Sequence, residues 1–424
     1  SRISGTLNMS KNIVVIGGGI AGLSTAYFLN KKGHRVTVIE KSNFTQGASY
    51  VNAGYITPSH IIPLAAPGMI TKGLKWMFNS ASPFYIKPRL DPDFLKWAWY
   101  FKRSSTKAKV EKAIPVIKDI NILSRGLFED IKASGDLGDF HLERKGLLML
   151  YKTEKAGAEE MGVAEKAKFI GLEVETLNLE QLKILEPEIE LDVAGAIHYE
   201  CDGHTTPTEF MPKMVAYLKK AGVKLQANEE VQRIAVSGKS IQNVVTDLSE
   251  YKADEVVLAA GSWTGKLAKQ LDLKIPLQAG KGYRINVERP IGISYPAVLM
   301  EAKVAVTPMK GFTRFSGTME FSGINQKIRM ERVEAIANAA RQYYTGLEFS
   351  TEEKAAAQSG LRPVSPDGLP YIGRSEKYTN LSFATGHAMM GWSLGPATGK
   401  LVAEIIDGKK TSMDLAAFNP DRRF

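Results

Sequence analysis

The sequence predicts an α/β chain, α+β overall, in which a parallel-sheet nucleotide-type lobe carries an inserted lobe built on a mixed sheet. Three observations predict it. The stretch IVVIGGGIAGLSTAYFLNKKGHRVTVIEK, Ile13 to Lys41, reads as strand, glycine turn, helix and strand. A second buried run, YKADEVVLAAGSW, lies in mid-chain, and a third, NLSFATGHAMMGWSLGPATGKLVAEIIDGKK, lies near the end. In each, a strand runs into a glycine turn. One Rossmann-type lobe is therefore expected to draw on the start, middle and end of the chain.

Taken in order, NIVVI is a buried strand, Gly19 to Lys32 a helix stopped by Gly33, and RVTVIE the second strand. From Val51 to Pro92 the chain is rich in Pro, Gly and aromatics and reads as long loops. STKAKVEKAIPVIKDINILSRGLFEDIKAS has helical apolar spacing, with Pro115 expected to kink it or mark a helix start. GLLMLY and AGAIHY read as strands of the second lobe. PTEFMPKMVAYLKKAGVKLQANEEVQRI reads as helix, glycine stop, strand, loop, strand. Further strands are expected from Ile275 to Phe321, followed by the helical ERVEAIANAARQYYTG. There are no internal repeats and no low-complexity tract.

The 424 residues, 44% hydrophobic and 24% charged, match a globular chain too long for one simple core. SRISGTLNMS lacks the features of a secretory signal, so residues 1–8 read as a leader or cloning remnant before a natural start near Met9. No window approaches eighteen uninterrupted apolar residues. The single cysteine, Cys201, excludes an intramolecular disulfide framework. Six scattered histidines show no ligand spacing, so no metal site is expected. The net charge of +10 is uneven: Lys72 to Lys118 holds eleven Lys/Arg against Asp91, Asp93 and Glu111, an excess of +8. That segment also holds Trp76, Trp97 and Trp99, three of the five tryptophans. It reads as an aromatic lid over the protein's own core or as a peripheral contact with an anionic membrane, and the two can coexist, since one face of a lid can point outward. No nucleic-acid motif accompanies the charge.

Gly17-x-Gly19-x-x-Gly22 follows a strand and opens a helix, with Ile20 and Ala21 in its first turn. Gly17 permits the tight turn, Gly19 the approach of a pyrophosphate, and Gly22 close packing of helix on strand. The pyrophosphate would meet the free N–H groups and dipole of the helix N-terminus. Glu40, followed by Lys41, ends the second strand where a carboxylate accepts ribose hydroxyls and disfavours the 2′-phosphate of NADP. These residues alone leave FAD and NAD open. The run GASYVNAGYITP, rich in small residues where an NAD-type unit would continue with regular βα units, points toward a long extended ligand.

VIGGGIAGLSTAYFLNKKGHRVTVIEK, GASYVNAGYITP, DEVVLAAGSWT, VAVTPMKGFTRFSGTMEFSG, LRPVSPDGLPYIGR and GHAMMGWSLGPATGKLVAEII, in this order, resemble the FAD-dependent D-amino acid dehydrogenase and oxidase family, relatives of glycine and sarcosine oxidases. The resemblance spans Met9 to Gly408 and leans to the dehydrogenase branch. It implies an FAD-binding domain over 9–60, 205–270 and 355–424, and a substrate domain over 61–204 and 271–354. It implies FAD held by Gly17, Gly19, Ile20, Ala21, Gly22, Glu40 and Lys41 at the ADP half. Along the pyrophosphate and ring it implies Ala48, Ser49, Asn52, Ala53 and Gly54; near the adenine, Val231; under the ribityl chain, Ala260 and Gly261. Gly386, Met389, Met390, Gly391 and Trp392 match the loop facing the flavin, with a helix N-terminus there for charge on the reduced ring. Cys201 lies outside any attachment motif, so the FAD is expected to be non-covalent.

Arg362 matches the family's carboxylate-binding arginine, lining both substrate and cofactor, and a forked, permanently charged guanidinium suits that task. Tyr283 is a candidate second carboxylate partner or a core tyrosine. His387 and His60 read as structural, Trp392 as a packing residue, and Pro366 and Asp367 as turn residues. The implied activity is oxidative deamination of D-amino acids to 2-oxo acids and ammonia, with electrons passed to a quinone or other acceptor, in the cytoplasm or at the inner face of the membrane. Alternatives are D-proline or hydroxyproline dehydrogenation, a glycine- or sarcosine-type amine oxidase, a partner-dependent flavin subunit, and an NAD-linked dehydrogenase.

Overall fold

The fold is taken from a computed structural model, which describes residues 9–76 and 82–424. The expected leader, residues 1–8, and the stretch 77–81 of the basic aromatic segment lie outside the described residues.

Alternation of buried Val and Ile with glycine turns builds a six-stranded sheet. Its order is Lys224–Gln226, Arg35–Ile39, Asn12–Ile16, Glu255–Leu258, Leu381–Thr385 and Tyr371–Arg374. The first five strands are parallel and Tyr371–Arg374 is antiparallel at the edge. Val15 sits between Val38 and Val257 in register, and all three side chains are fully buried. Such continuous apolar strands need cover on both faces. Helices Ile20–Lys31, Pro207–Lys220 and Gly395–Ile406 supply one cover. The other is a three-stranded antiparallel sheet, Val231–Ser237, Ser240–Thr246 and Glu250–Lys252, with helix Thr264–Gln270.

A nine-stranded mixed sheet forms the second layer, with Gln278–Val287 and Phe312–Phe321 paired antiparallel near one edge. Gln358–Val364 joins its edge beside Gln278–Val287, and Leu147–Tyr151 and Gly195–Tyr199 extend the far side. Helix Met330–Tyr343 buries Val333, Ile336, Ala337 and Ala340 against this sheet.

Two readings of the sequence change. Lys107–Ser134 is one unbroken 28-residue helix with Pro115 inside it. Its Thr106 hydroxyl caps the N-terminus by accepting from Lys109 N. A buried stripe of Ile114, Ile117, Ile120, Leu127, Phe128 and Ile131 outweighs the hydrogen bond that proline removes. The Val51–Pro92 stretch, expected as loops, contains helix Met69–Trp76 and strand Phe84–Ile86, which pairs with Phe312–Phe321. Among the described residues no helix is long and apolar enough to cross a membrane.

Candidate active site

A cleft of about 480 Å³ crosses the C-terminal ends of the parallel strands. Its walls come from Gly17–Ala21, Glu40–Ser42, Gln46–Ser49, Glu229–Gln232, Ala259–Gly261 and the segments around Arg362 and His387. Open α/β sheets bind ligands at this edge. Of the residues expected from sequence, Gly22, Ala53, Gly54, Gly386 and Met390 do not line it. They support it from below: Gly386 packs on the Tyr371 ring, and Met390 on the core.

The glycine turn is a cradle that side chains would fill. Gly17 has φ of 112°, and a Cβ there would overlap the Ala259 carbonyl; one on Gly22 would overlap the Gly17 carbonyl oxygen. Glu40 is fixed by backbone, its Oε1 accepting from Gly18 N at 3.0 Å and its Oε2 from Ser42 N at 2.7 Å. Gly19 offers no side-chain cap to helix Ile20–Lys31; instead Ser49 Oγ, from the next loop, accepts from Ile20 N at 2.9 Å. The Lys41 ammonium lies 3.1 Å from the Trp263 ring centroid, and burial lowers its pKa. Ser42 Oγ is buried in the cleft wall with no hydrogen-bond partner among the described residues. A backbone cradle, a helix N-terminus and an uncommitted hydroxyl fit the phosphate and sugar of a dinucleotide.

The loop that continues the wall is bolted in place. Asn52 donates to the carbonyls of Ala48 and Ser49 and accepts from Gly54 N at 2.8 Å. The Thr307 hydroxyl donates to the Ala53 carbonyl at 2.7 Å. Arg314, fully buried, donates to the carbonyls of Tyr50 and Asn52 at 2.7 and 2.9 Å. Burial lowers the pKa of that guanidinium to about 9.

Arg362, on the edge strand, turns its guanidinium into the cleft. Nη1 donates to the Thr318 carbonyl at 2.9 Å, and among the described residues no carboxylate pairs with it. Burial alone lowers its pKa, to about 10, so it stays charged at neutral pH. Gly282, on the neighbouring strand, makes the room: a Cβ there would overlap Arg362 Nη2. Thr318, whose carbonyl steadies the arginine, has φ of 67°, a strained value for a β-branched residue. Gly282 and Thr318 were not singled out from sequence, because only strand pairing brings them to Arg362.

Tyr283 borders the cleft, but its hydroxyl donates to Glu320 Oε1 at 3.0 Å. Glu320 also meets Arg332 Nε at 3.1 Å and Lys281 Nζ at 3.5 Å. The structure thus engages the tyrosine in a buried network rather than aiming its hydroxyl at a ligand. His387, also unmarked as a site residue, lines the cleft; its Nε2 lies 2.9 Å from Thr398 Oγ1, and burial lowers its pKa to about 4. It is neutral near pH 7. Trp392 is buried, donates Nε1–H to Thr205 Oγ1 at 2.9 Å, and packs edge-to-face on Phe210. The turn at the cleft is the 3₁₀ segment Ala388–Met390; helix Gly395–Ile406 begins four residues after Gly391.

The comparisons with known proteins agree with this geometry. A family model described as FAD dependent oxidoreductase matches residues 12–405. A D-amino acid dehydrogenase of Neisseria meningitidis serogroup C (strain 053442) is 31% identical over 409 residues, covering 95% of this chain and 97% of the relative. One of Bradyrhizobium diazoefficiens is 31% identical over 430 residues, covering 97% and 98%. Glycine oxidase from Geobacillus kaustophilus superposes with a TM-score of 0.79 at 22% identity, covering 98% of this chain and 99% of that one. L-proline dehydrogenase from P. horikoshii gives 0.73 at 20% identity, with 97% of each chain covered. At these identities the two structures speak for the fold.

Proposed function

The chain belongs to the FAD-dependent oxidoreductase family, and from that premise we propose that it oxidatively deaminates D-amino acids to 2-oxo acids and ammonia. The observation that carries the reading is Arg362: a charged guanidinium facing the cleft, anchored to the Thr318 carbonyl, with no acidic partner among the described residues. The relatives' activity supplies the substrate's handedness.

FAD, when bound, supplies the hydride-accepting chemistry. Gly17–Ala21, Glu40, Ser49 and the Ala260–Gly261 turn would hold it along the cleft. Arg362 binds the substrate carboxylate in a forked pair and so fixes the α-carbon in orientation. Its charge also favours the neutral amine, the form that can be oxidised. Gly282 and the Thr318 carbonyl keep the guanidinium in place, and Tyr283 with Glu320 stiffens the strand beneath it. His387 is held by Thr398 and stays neutral, not imidazolium, near pH 7, so it positions the turn and carries no charge. Arg362, braced by Gly282 and the Thr318 carbonyl, thus does the binding and orienting, and the product imine is hydrolysed by water.

Electrons pass on to a quinone or another acceptor, and helix Pro92–Ser104 supports a peripheral membrane contact. Its Trp97 is buried and donates to the Val364 carbonyl, two residues past Arg362, while Leu95 and Trp99 are exposed beside Lys96, Lys102 and Arg103. One helix thus packs against the strand that carries Arg362 on one side and presents apolar and basic groups on the other. The test is turnover of FAD-loaded protein with a dye acceptor and paired enantiomers. Turnover of D-alanine or D-proline and none of the L-forms is expected; preference for L-amino acids would overturn the reading.

A further inference from the structure

A second cluster of chemistry-bearing side chains lies on a separate three-stranded antiparallel sheet, distinct from the one that covers the parallel sheet. Leu142–Glu143 pairs antiparallel with Gly203–Thr205, which pairs in turn with Tyr55–Ile56. This register sets Glu143 opposite His204, and the His141 ring meets the His204 ring edge-on at 5.1 Å between centroids. His141 Nε2 is 3.5 Å from Glu143 Oε1, and His204 Nε2 is 3.9 Å from Glu143 Oε2. One ligand atom from each residue lies within 4.8 Å of the others. Tetrahedral bonds of about 2.0–2.2 Å place ligand atoms roughly 3.4 Å apart, so the side chains must draw together by up to about an ångström to close on an ion, a movement that rotation of the partly exposed Glu143 side chain can supply.

His204 is the independent sign that something binds. It is fully buried, and neither ring nitrogen meets hydrogen-bond geometry with any described residue. With only the Pro308 carbonyl beside it, the ring keeps at least one buried nitrogen uncommitted, which is costly and calls for an explanation. The Pro308 carbonyl lies beside the ring, the kind of outer partner that orients a ligating histidine. His141 is already oriented, its Nδ1 lying 2.7 Å from Thr206 Oγ1, which leaves Nε2 for a ligand. Glu143 is partly exposed and leaves an open side to solvent, where Lys145 Nζ, 3.4 Å from Oε2, must swing away.

We infer that His141, Glu143 and His204 form a binding site for a divalent transition metal, with Zn²⁺ the fitting ion and a fourth position open to water. Two imidazoles and a carboxylate suit Zn²⁺. Its place in the fold gives it a consequence. Thr205, the next residue after His204, donates to the Gly54 carbonyl from N at 2.8 Å and from Oγ1 at 2.9 Å, and accepts from Trp392 Nε1. Metal at His204 therefore fixes the strand that holds two parts of the cleft wall. A second group, Glu175, His198 and Glu200, makes a natural control, because His198 Nε2 is already committed to the Lys145 carbonyl at 2.8 Å.

The test is equilibrium dialysis of tag-free, FAD-loaded protein, stripped with a chelator, against Zn²⁺, with metal measured per chain. One Zn²⁺ per chain is expected. Glu143→Gln and His141→Gln should each weaken it at least about tenfold, and His198→Gln should leave it unchanged. Both test residues lie at the rim, and retained flavin absorbance reports that each variant is folded. Binding below about a tenth of an equivalent, binding that the two rim variants leave unaltered, or binding that His198→Gln abolishes would each overturn the assignment.

Discussion

Arg362 and Gly282 form a single device at the residue scale. Replacing Arg362 by Met removes the proposed carboxylate clamp, and kcat/KM for D-amino acids should fall by about 10²–10³ while bound FAD is retained. Gly282→Ala tests the same device without touching the arginine. The new Cβ would meet the far end of a flexible side chain, not backbone, so the fold survives but the guanidinium must move. Loss of up to about 10² in kcat/KM, carried mainly by KM, is expected; an unchanged KM would mean that Arg362 does not hold the substrate. Asp202 sets a pH dependence of stability. Burial pushes its carboxyl up to about 7, against hydrogen bonds from Ser59 that pull it down. The folded state therefore favours the protonated form, and that stability, full below the unfolded carboxylate range, is lost as pH rises through about 7. Urea unfolding of the wild type and Asp202→Asn at pH 5 and 8 should show the wild type losing ground to the variant at pH 8. Parallel shifts in both proteins would contradict this.

Helix Pro92–Ser104 carries the prediction at the scale of elements. Asp91 caps it by accepting from Asp93 N, Pro92 starts it, and Phe94, Trp97 and Phe101 bury one face. The outward Leu95 and Trp99 are unneeded by that packing. Trp99→Ser with Leu95→Ser should leave turnover of a soluble dye intact and abolish salt-sensitive sedimentation with anionic vesicles. Equal sedimentation of wild type and variant would remove the membrane contact from the account. The sequence revealed those parts of the site whose chemistry is local: the glycine turn, Glu40 at a strand end, and the loop from Ala48 to Gly54 each read out within a few residues. Gly282, Thr318 and the Tyr283–Glu320 pair were hidden, because strand register between distant segments creates them. His141 and His204 illustrate the same point. Apart in sequence they show no ligand spacing, whereas antiparallel pairing brings them together.

Across the whole molecule, an interrupted parallel sheet supplies the nucleotide cradle and a mixed sheet supplies the wall that holds Arg362. The expected FAD-dependent family, the α/β class and the mixed second sheet are all borne out. The long helix through Pro115 departs from the expectation because burial of its stripe decides where local propensity does not. The cradle makes one global prediction: Gly17→Ala, which drives a Cβ into the Ala259 carbonyl, should yield protein that elutes without FAD, as read from its absorbance.

The central claim is that the cleft between these layers joins FAD to a D-amino acid held at Arg362. An anaerobic absorbance titration of FAD-loaded protein with D-alanine and D-proline, with the L-enantiomers as controls, tests it most directly. Bleaching of the flavin band by the D-forms alone, and its loss in Arg362→Met, is the predicted result. A flavin band that no D-amino acid bleaches, or that bleaches equally without Arg362, would contradict it.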